Sequence, residues 1–117
     1  MTDHDADRLD LRTLLPLHGD GVHWTLDRPA DLNVNLVHLE AGHEVGAHVN
    51  DAVDVVVVGL DGTGGAHVGD GHHDLGPAVV LHIPKGARRT IRAGGLGFTY
   101  LTIHQRRGGP SVGRRPA

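Results

Sequence analysis

The chain of 117 residues has no cysteine, a single lysine (Lys85), one Trp, one Tyr and one Phe, and no Asp or Glu after Asp74. Without cysteine there can be no disulfide, thiolate metal site or cysteine nucleophile, so a bound metal would have to rest on His, carboxylate or amide ligands. Trp24, Phe98 and Tyr100 are too few for a base-stacking platform, and nucleic acid is not the expected partner. No window approaches the roughly eighteen apolar residues of a membrane-spanning helix. The opening "MTDHDADRLD" is acidic where a secretory signal opens basic and continues apolar, so a cytoplasmic protein without membrane association is expected.

The net charge of -3 conceals a division. Three basic and fourteen acidic residues lie at or before Asp74, whereas eight basic residues and no acidic ones follow it. Such a split suits two parts lying against each other, within the fold or across a homodimer. Eleven His residues supply potential metal ligands, but a ligand set requires convergence in space, which a count does not provide.

At this length the chain is expected to form one domain. Residues 1–10 are expected to be mobile, the folded body to span 11–106, and the Gly, Pro and Arg composition of 107–117 to give a flexible basic tail. Apolar residues in the body recur at period two or in short β-branched runs, with Gly or Pro between them, which predicts an all-β sandwich or barrel. Expected strands cover 21–26, 32–39, 52–60, 65–68, 78–84, 87–93 and 97–105. In "LNVNLVHL" the set Asn33, Asn35, Val37 and Leu39 lies on one face and Leu32, Val34, Leu36 and His38 on the other. Val55 to Val58 are apolar on both faces, which suits an interior strand or a subunit interface. "GLDGTGG" (59–65) and "VGDGHH" (68–73) read as hairpins. Trp24 is expected in core or dimer packing. A serine nucleophile elbow, a glycosidase-like carboxylate pair and a nucleotide fingerprint are all missing, and no helix follows 59–65 to make it a phosphate loop.

One polar row draws attention: His48, Asn50 and Asp54 stand at even positions leading into the four valines. Gly42 precedes His48 by six residues, and Gly76, Pro84, Gly86, Arg89 and Ala93 follow in the second half. This arrangement resembles a small single-domain cupin, a double-stranded β-helix of jelly-roll type. In the first cupin motif Asn50 stands where the second His belongs and Asp54 where the Glu belongs, with the closing Gly displaced to Gly59 or Gly62. In the second motif Arg89 replaces the His and Ala93 the Asn. The resemblance therefore implies the cupin barrel while three of its four usual metal ligands are substituted.

If the row keeps its period, His48, Asn50 and Asp54 share one face. The resemblance implies that Arg89 and Ile91 turn toward the same interior, so that the four polar residues line one pocket, with Arg89 in the vacated metal position and paired with Asp54. His104 shares a face with Phe98, Tyr100 and Thr102 and could join that wall. In the competing structural reading Asp54 caps an edge, Arg89 extends outward with Arg88 and Arg92, and His48 is a satisfied core residue. The expected function is metal-free binding of a small molecule, which could be an anion held by Arg89. One alternative is a metal-dependent oxygenase, isomerase or lyase using His48 and Asp54, with Asn50 or His104, around iron, manganese, nickel or zinc. Another is a dimeric interaction module.

Overall fold

The computed structural model describes residues 6–26 and 31–106, except for the side chains of Ala47 and His48. The expected tail, 107–117, and half of the expected N-terminal segment lie outside the described residues. After a 3-10 turn at Leu11–Thr13 come seven strands: β1 (Gly21–Thr25), β2 (Leu32–Leu39), β3 (Glu44–Val49), β4 (Val55–Val68), β5 (Gly71–Leu75), β6 (Val80–Ile83) and β7 (Arg88–Gln105). All pairings are antiparallel.

Two strands, β4 and β7, are long enough to serve both layers of the barrel. The end of β7, 98–105, pairs with β2 and with the start of β4, which carries β6 on its other side. The beginning of β7, 88–93, pairs with β3 and with the end of β4, which carries β5. The first layer therefore runs β1-β2-β7-β4-β6 and the second β3-β7-β4-β5, with β4 and β7 crossing from one to the other. This is an all-β barrel, as the alternating pattern predicted, and of the jelly-roll type that the resemblance implied.

The crossing corrects the expected strand boundaries. Residues 59–65 do not reverse the chain as a hairpin; they are the bend inside β4, where the register with β7 shifts between Gly59 and Asp61 and again between Gly62 and Gly64. Likewise 87–93 and 97–105 are not separate strands but the two arms of β7. Glycine permits both bends. Gly62 has a φ of 73°, and a Cβ on Gly59 would lie 1.9 Å from the Gly76 carbonyl oxygen, so the backbones approach only because that atom is missing. The second expected hairpin is present, joining β4 to β5 through Gly69 and Asp70. The short strands β3 and β5 were not among those expected, because their polar, glycine-containing sequences carry little β signal.

Alternation then fills the interior. Val37 and Leu39 of β2, Val55 and Val57 of β4, Ile83 of β6, and Ile91, Phe98 and Tyr100 of β7 belong to one buried cluster. Val55 and Val57 are buried while Val56 and Val58 are half-buried, so the valine run is an interior strand between β6 and β7. Phe98 and Tyr100 stack with ring centroids 5.0 Å apart. Trp24 stays outside this cluster, half-buried on β1 beside Leu9 and Leu26.

Gly59→Ala should destabilise the chain by about 3 kcal/mol or more, because the added carbon meets backbone rather than a side chain that can yield. Gly95→Ala, where no atom lies within 4 Å of the added carbon, should stay within about 0.5 kcal/mol of wild type in urea denaturation. Equal stability of the two variants would contradict the close-approach account.

Candidate functional site

The inner row of β7 carries Arg89, Ile91, Phe98, Tyr100 and Thr102, and on it a cavity of about 280 Å³ opens inside the barrel. Valine, leucine and isoleucine from five other strands make up most of its wall, among them Val22, Val37, Val45, Val57 and Ile83. Among the described residues Arg89 is its one charged lining residue, joined by the hydroxyl-bearing Tyr100 and Thr102. Burial pushes the Tyr100 phenol up to about 12, a rise that the positive charge of Arg89 partly opposes. At neutral pH Tyr100 is therefore an uncharged hydroxyl beside a permanent cation. Thr102 also takes a long contact from the Asn35 amide, at 3.4 Å, so the inner row becomes polar toward one end.

Of the five pocket residues expected from sequence, Asn50, Asp54 and His104 stand apart from the cavity that Arg89 lines. Arg89 lines the cavity, and the backbone of His48 is its register partner across β3 and β7. The side chain of His48 lies outside the described residues. Asn50 and Asp54 leave the row because β3 ends at Val49 and β4 begins at Val55, so the alternation on which the expectation rested stops between them. Asn50 is buried, and its Oδ1 accepts from the Ala52 amide at 2.9 Å and the Val53 amide at 3.4 Å. Its carbonyl accepts from the Gly86 amide at 2.7 Å. Asp54 turns outward, taking the Lys85 amide at 2.9 Å on one oxygen and His82 Nε2 at 2.9 Å on the other. The expected Asp54–Arg89 pair is thus replaced by a clasp that fastens the 50–54 loop to the turn before β7. His104 lies beside Leu32, Asp54 and Lys85 at a different, shallow cavity, with Nδ1 3.0 Å from the Gln105 carbonyl.

This donor set does not fit the divalent ion that the resemblance would bring. Outside the cavity Asn50 spends its Oδ1 on backbone amides and Asp54 its two oxygens on the Lys85 amide and His82, and Arg89 places a positive charge within it. Among the described residues no group of three or more His, Asp or Glu side chains is arranged to hold a metal.

A second polar assembly was not read from the sequence. His38 is buried on the outer face of β2, with Nδ1 2.7 Å from Thr99 Oγ1 and Nε2 3.2 Å from Glu40 Oε2. The other Glu40 oxygen accepts from the Gly19 amide at 2.9 Å. Asp20 reaches back, accepting from the Glu40 amide at 2.7 Å and meeting His43 Nδ1 at 2.6 Å. These contacts hold the approach to β1 against the β2–β3 turn. The available signal was the paired occurrence of His and acid in "HGDGVH" and "HLEAGH", but nothing in sequence indicates that the two segments meet.

Comparison with known proteins bears on the architecture alone. Neither a family model nor a curated protein matches the sequence. Solved structures do match: a cupin superfamily protein from Desulfitobacterium hafniense is similar at 22% identity and a TM-score of 0.70, over 86% of this chain and 92% of that one. A cupin protein from Bacteroides fragilis is similar at 19% identity and a TM-score of 0.69, over 98% and 93%. An uncharacterized conserved protein with a double-stranded β-helix domain from Klebsiella pneumoniae reaches a TM-score of 0.72 at 16% identity, over 92% and 95%. The chain has the cupin fold.

Asn50→Ala should cost about 1–3 kcal/mol in urea denaturation, because it leaves the Val53 amide without its acceptor in a buried setting. Acid should act on the carboxylates. Asp20, Glu40 and Asp54 are all held below the usual carboxylate range, in each case first by an accepted backbone N–H and then by a His. Since the folded value lies below the unfolded one, their stabilisation is complete above about pH 4 and is lost as pH falls through the folded values. Melting followed by circular dichroism from pH 6 to pH 2 should show this decline, and Asp54→Asn should make it shallower.

Proposed function

We propose that the protein binds a small organic anion, an apolar body carrying one carboxylate, inside the barrel and without a metal. The observation behind this reading is the cavity of about 280 Å³ whose largely apolar wall carries, among the described residues, one charged side chain, Arg89. An aliphatic or aryl group would replace water against the valines and isoleucines, while the permanent charge of the guanidinium attracts the carboxylate. The Tyr100 hydroxyl, kept protonated by burial, is a further donor on the same wall. Pockets for drug-sized ligands run from about 300 Å³ upward, so the occupant expected here is smaller.

The metal-dependent alternative draws less support, because Asn50 and Asp54 are engaged in the loop clasp. Elemental analysis of protein prepared without an affinity tag addresses it directly.

The binding test is a ligand-observed NMR screen of short aliphatic and aryl carboxylates against their neutral primary amides. Acids should bind and amides should bind at least about tenfold more weakly, and Arg89→Gln should remove the difference, as loss of a charge-assisted pair costs about 1.5–3 kcal/mol. Equal binding of acid and amide, or an unaltered preference in Arg89→Gln, would refute the reading.

A further inference from the structure

The outer face of the second layer carries a group of side chains unconnected with the barrel cavity. Register places Thr90 of β7, His67 of β4 and His72 of β5 in one row across three strands. The next row runs Glu44, Arg92, Gly65 and Asp74 across four. Gly65 contributes no side chain, and a dent of about 620 Å³ opens there between the two rows. The His72 ring leans over the gap, since a Cβ on Gly65 would lie 2.9 Å from its Cε1.

We propose that His67 and His72 form a two-imidazole site for a borderline divalent cation of the zinc class, with Asp74 as its positioning residue. The histidines are direct cross-strand partners, a relation that puts their Cβ atoms about 5 Å apart on the same face. Their ring centroids are 4.9 Å apart and the rings are tilted by 54°. Two imidazoles bound to one ion at about 2.1 Å, at an angle near that of a tetrahedron, bring their centres to about 5 Å, so the pair already has the required separation.

The tautomer follows from the neighbour. Asp74 Oδ1 lies 3.1 Å from His72 Nε2, and an exposed carboxylate there holds the proton on Nε2, leaving the Nδ1 lone pair for the ion. Imidazole nitrogen prefers zinc, copper and nickel to magnesium or calcium. The nearby Arg92 is 3.1 Å from Glu44, which offsets its repulsion of a cation. Water, or a donor atom from a molecule seated in the dent, fills the remaining coordination positions.

The test is isothermal titration of zinc into the full chain made without an affinity tag, with imidazole proton signals followed by NMR. One equivalent should bind and shift the rings of His67 and His72. His67→Ala and His72→Ala should each weaken binding about tenfold or more, and Asp74→Asn should weaken it by about tenfold, as loss of an orienting carboxylate does. His73→Ala, altered on the neighbouring residue, should bind as wild type, and magnesium should not compete. Wild-type zinc affinity in His67→Ala, or loss of the bound equivalent in His48→Ala instead, would overturn the proposal. Neither outcome bears on carboxylate binding in the barrel.

Discussion

The ladder between β4 and β7 is the constraint on which the rest of the fold depends. Each strand belongs to both layers, so the pairing that closes the first layer also fixes where the second begins. The remaining strands add to this frame: β2 and β3 on the two arms of β7, and β5 and β6 on the two arms of β4. A continuous ladder bent in this way needs places where the backbones nearly touch, and glycine supplies them at 59, 62 and 64. Interior valines and isoleucines then stabilise the packed layers, but the bends determine which residues face inward.

The same frame separates two tasks that the sequence seemed to combine. Polar groups near the start of β4 serve the loop, where Asn50 and Asp54 satisfy the backbone amides of 52, 53 and 85. Among the described residues the barrel interior is mostly apolar, with Arg89, Tyr100 and Thr102 as polar lining. Arg89 is half-buried on the inner row of β7. A permanently charged residue thus stands at the second-motif His position of the cupin resemblance.

Much of the architecture could be read in the chain. Period-two and β-branched runs identified β2, the start of β4 and both arms of β7, and the Gly, Pro and turn spacing resembles that of a cupin. What could not be read was continuity: "GLDGTGG" contains the residues of a reversal, and only the close approach of Gly59 to Gly76 makes it a bend within one strand. For the site, the resemblance implied that Arg89 and Ile91 turn to the interior, and both line the cavity. Asp54 does not, because a period is meaningful only while the strand lasts, and here it lapses between Val49 and Val55. The His38 and Asp20 assembly was invisible for a different reason, since it joins segments about twenty residues apart through side chains whose types are ordinary on any surface.

The bulges at the bend have an additional consequence for the arm of β7 that carries Arg88 to Arg92. Its alternate residues face opposite solvents, Arg89 and Ile91 toward the cavity and Thr90 and Arg92 toward the outside dent. A slip of one residue against β4 would exchange the two sets, placing a threonine and two other arginines where hydrocarbon is now packed. The unequal residue counts at Gly59–Asp61 and Gly62–Gly64 oppose this movement, because a shifted ladder would bring side chains to positions where only glycine fits. The irregularities in β4 therefore act as an indexing device that tells one strand which of its faces is the inside.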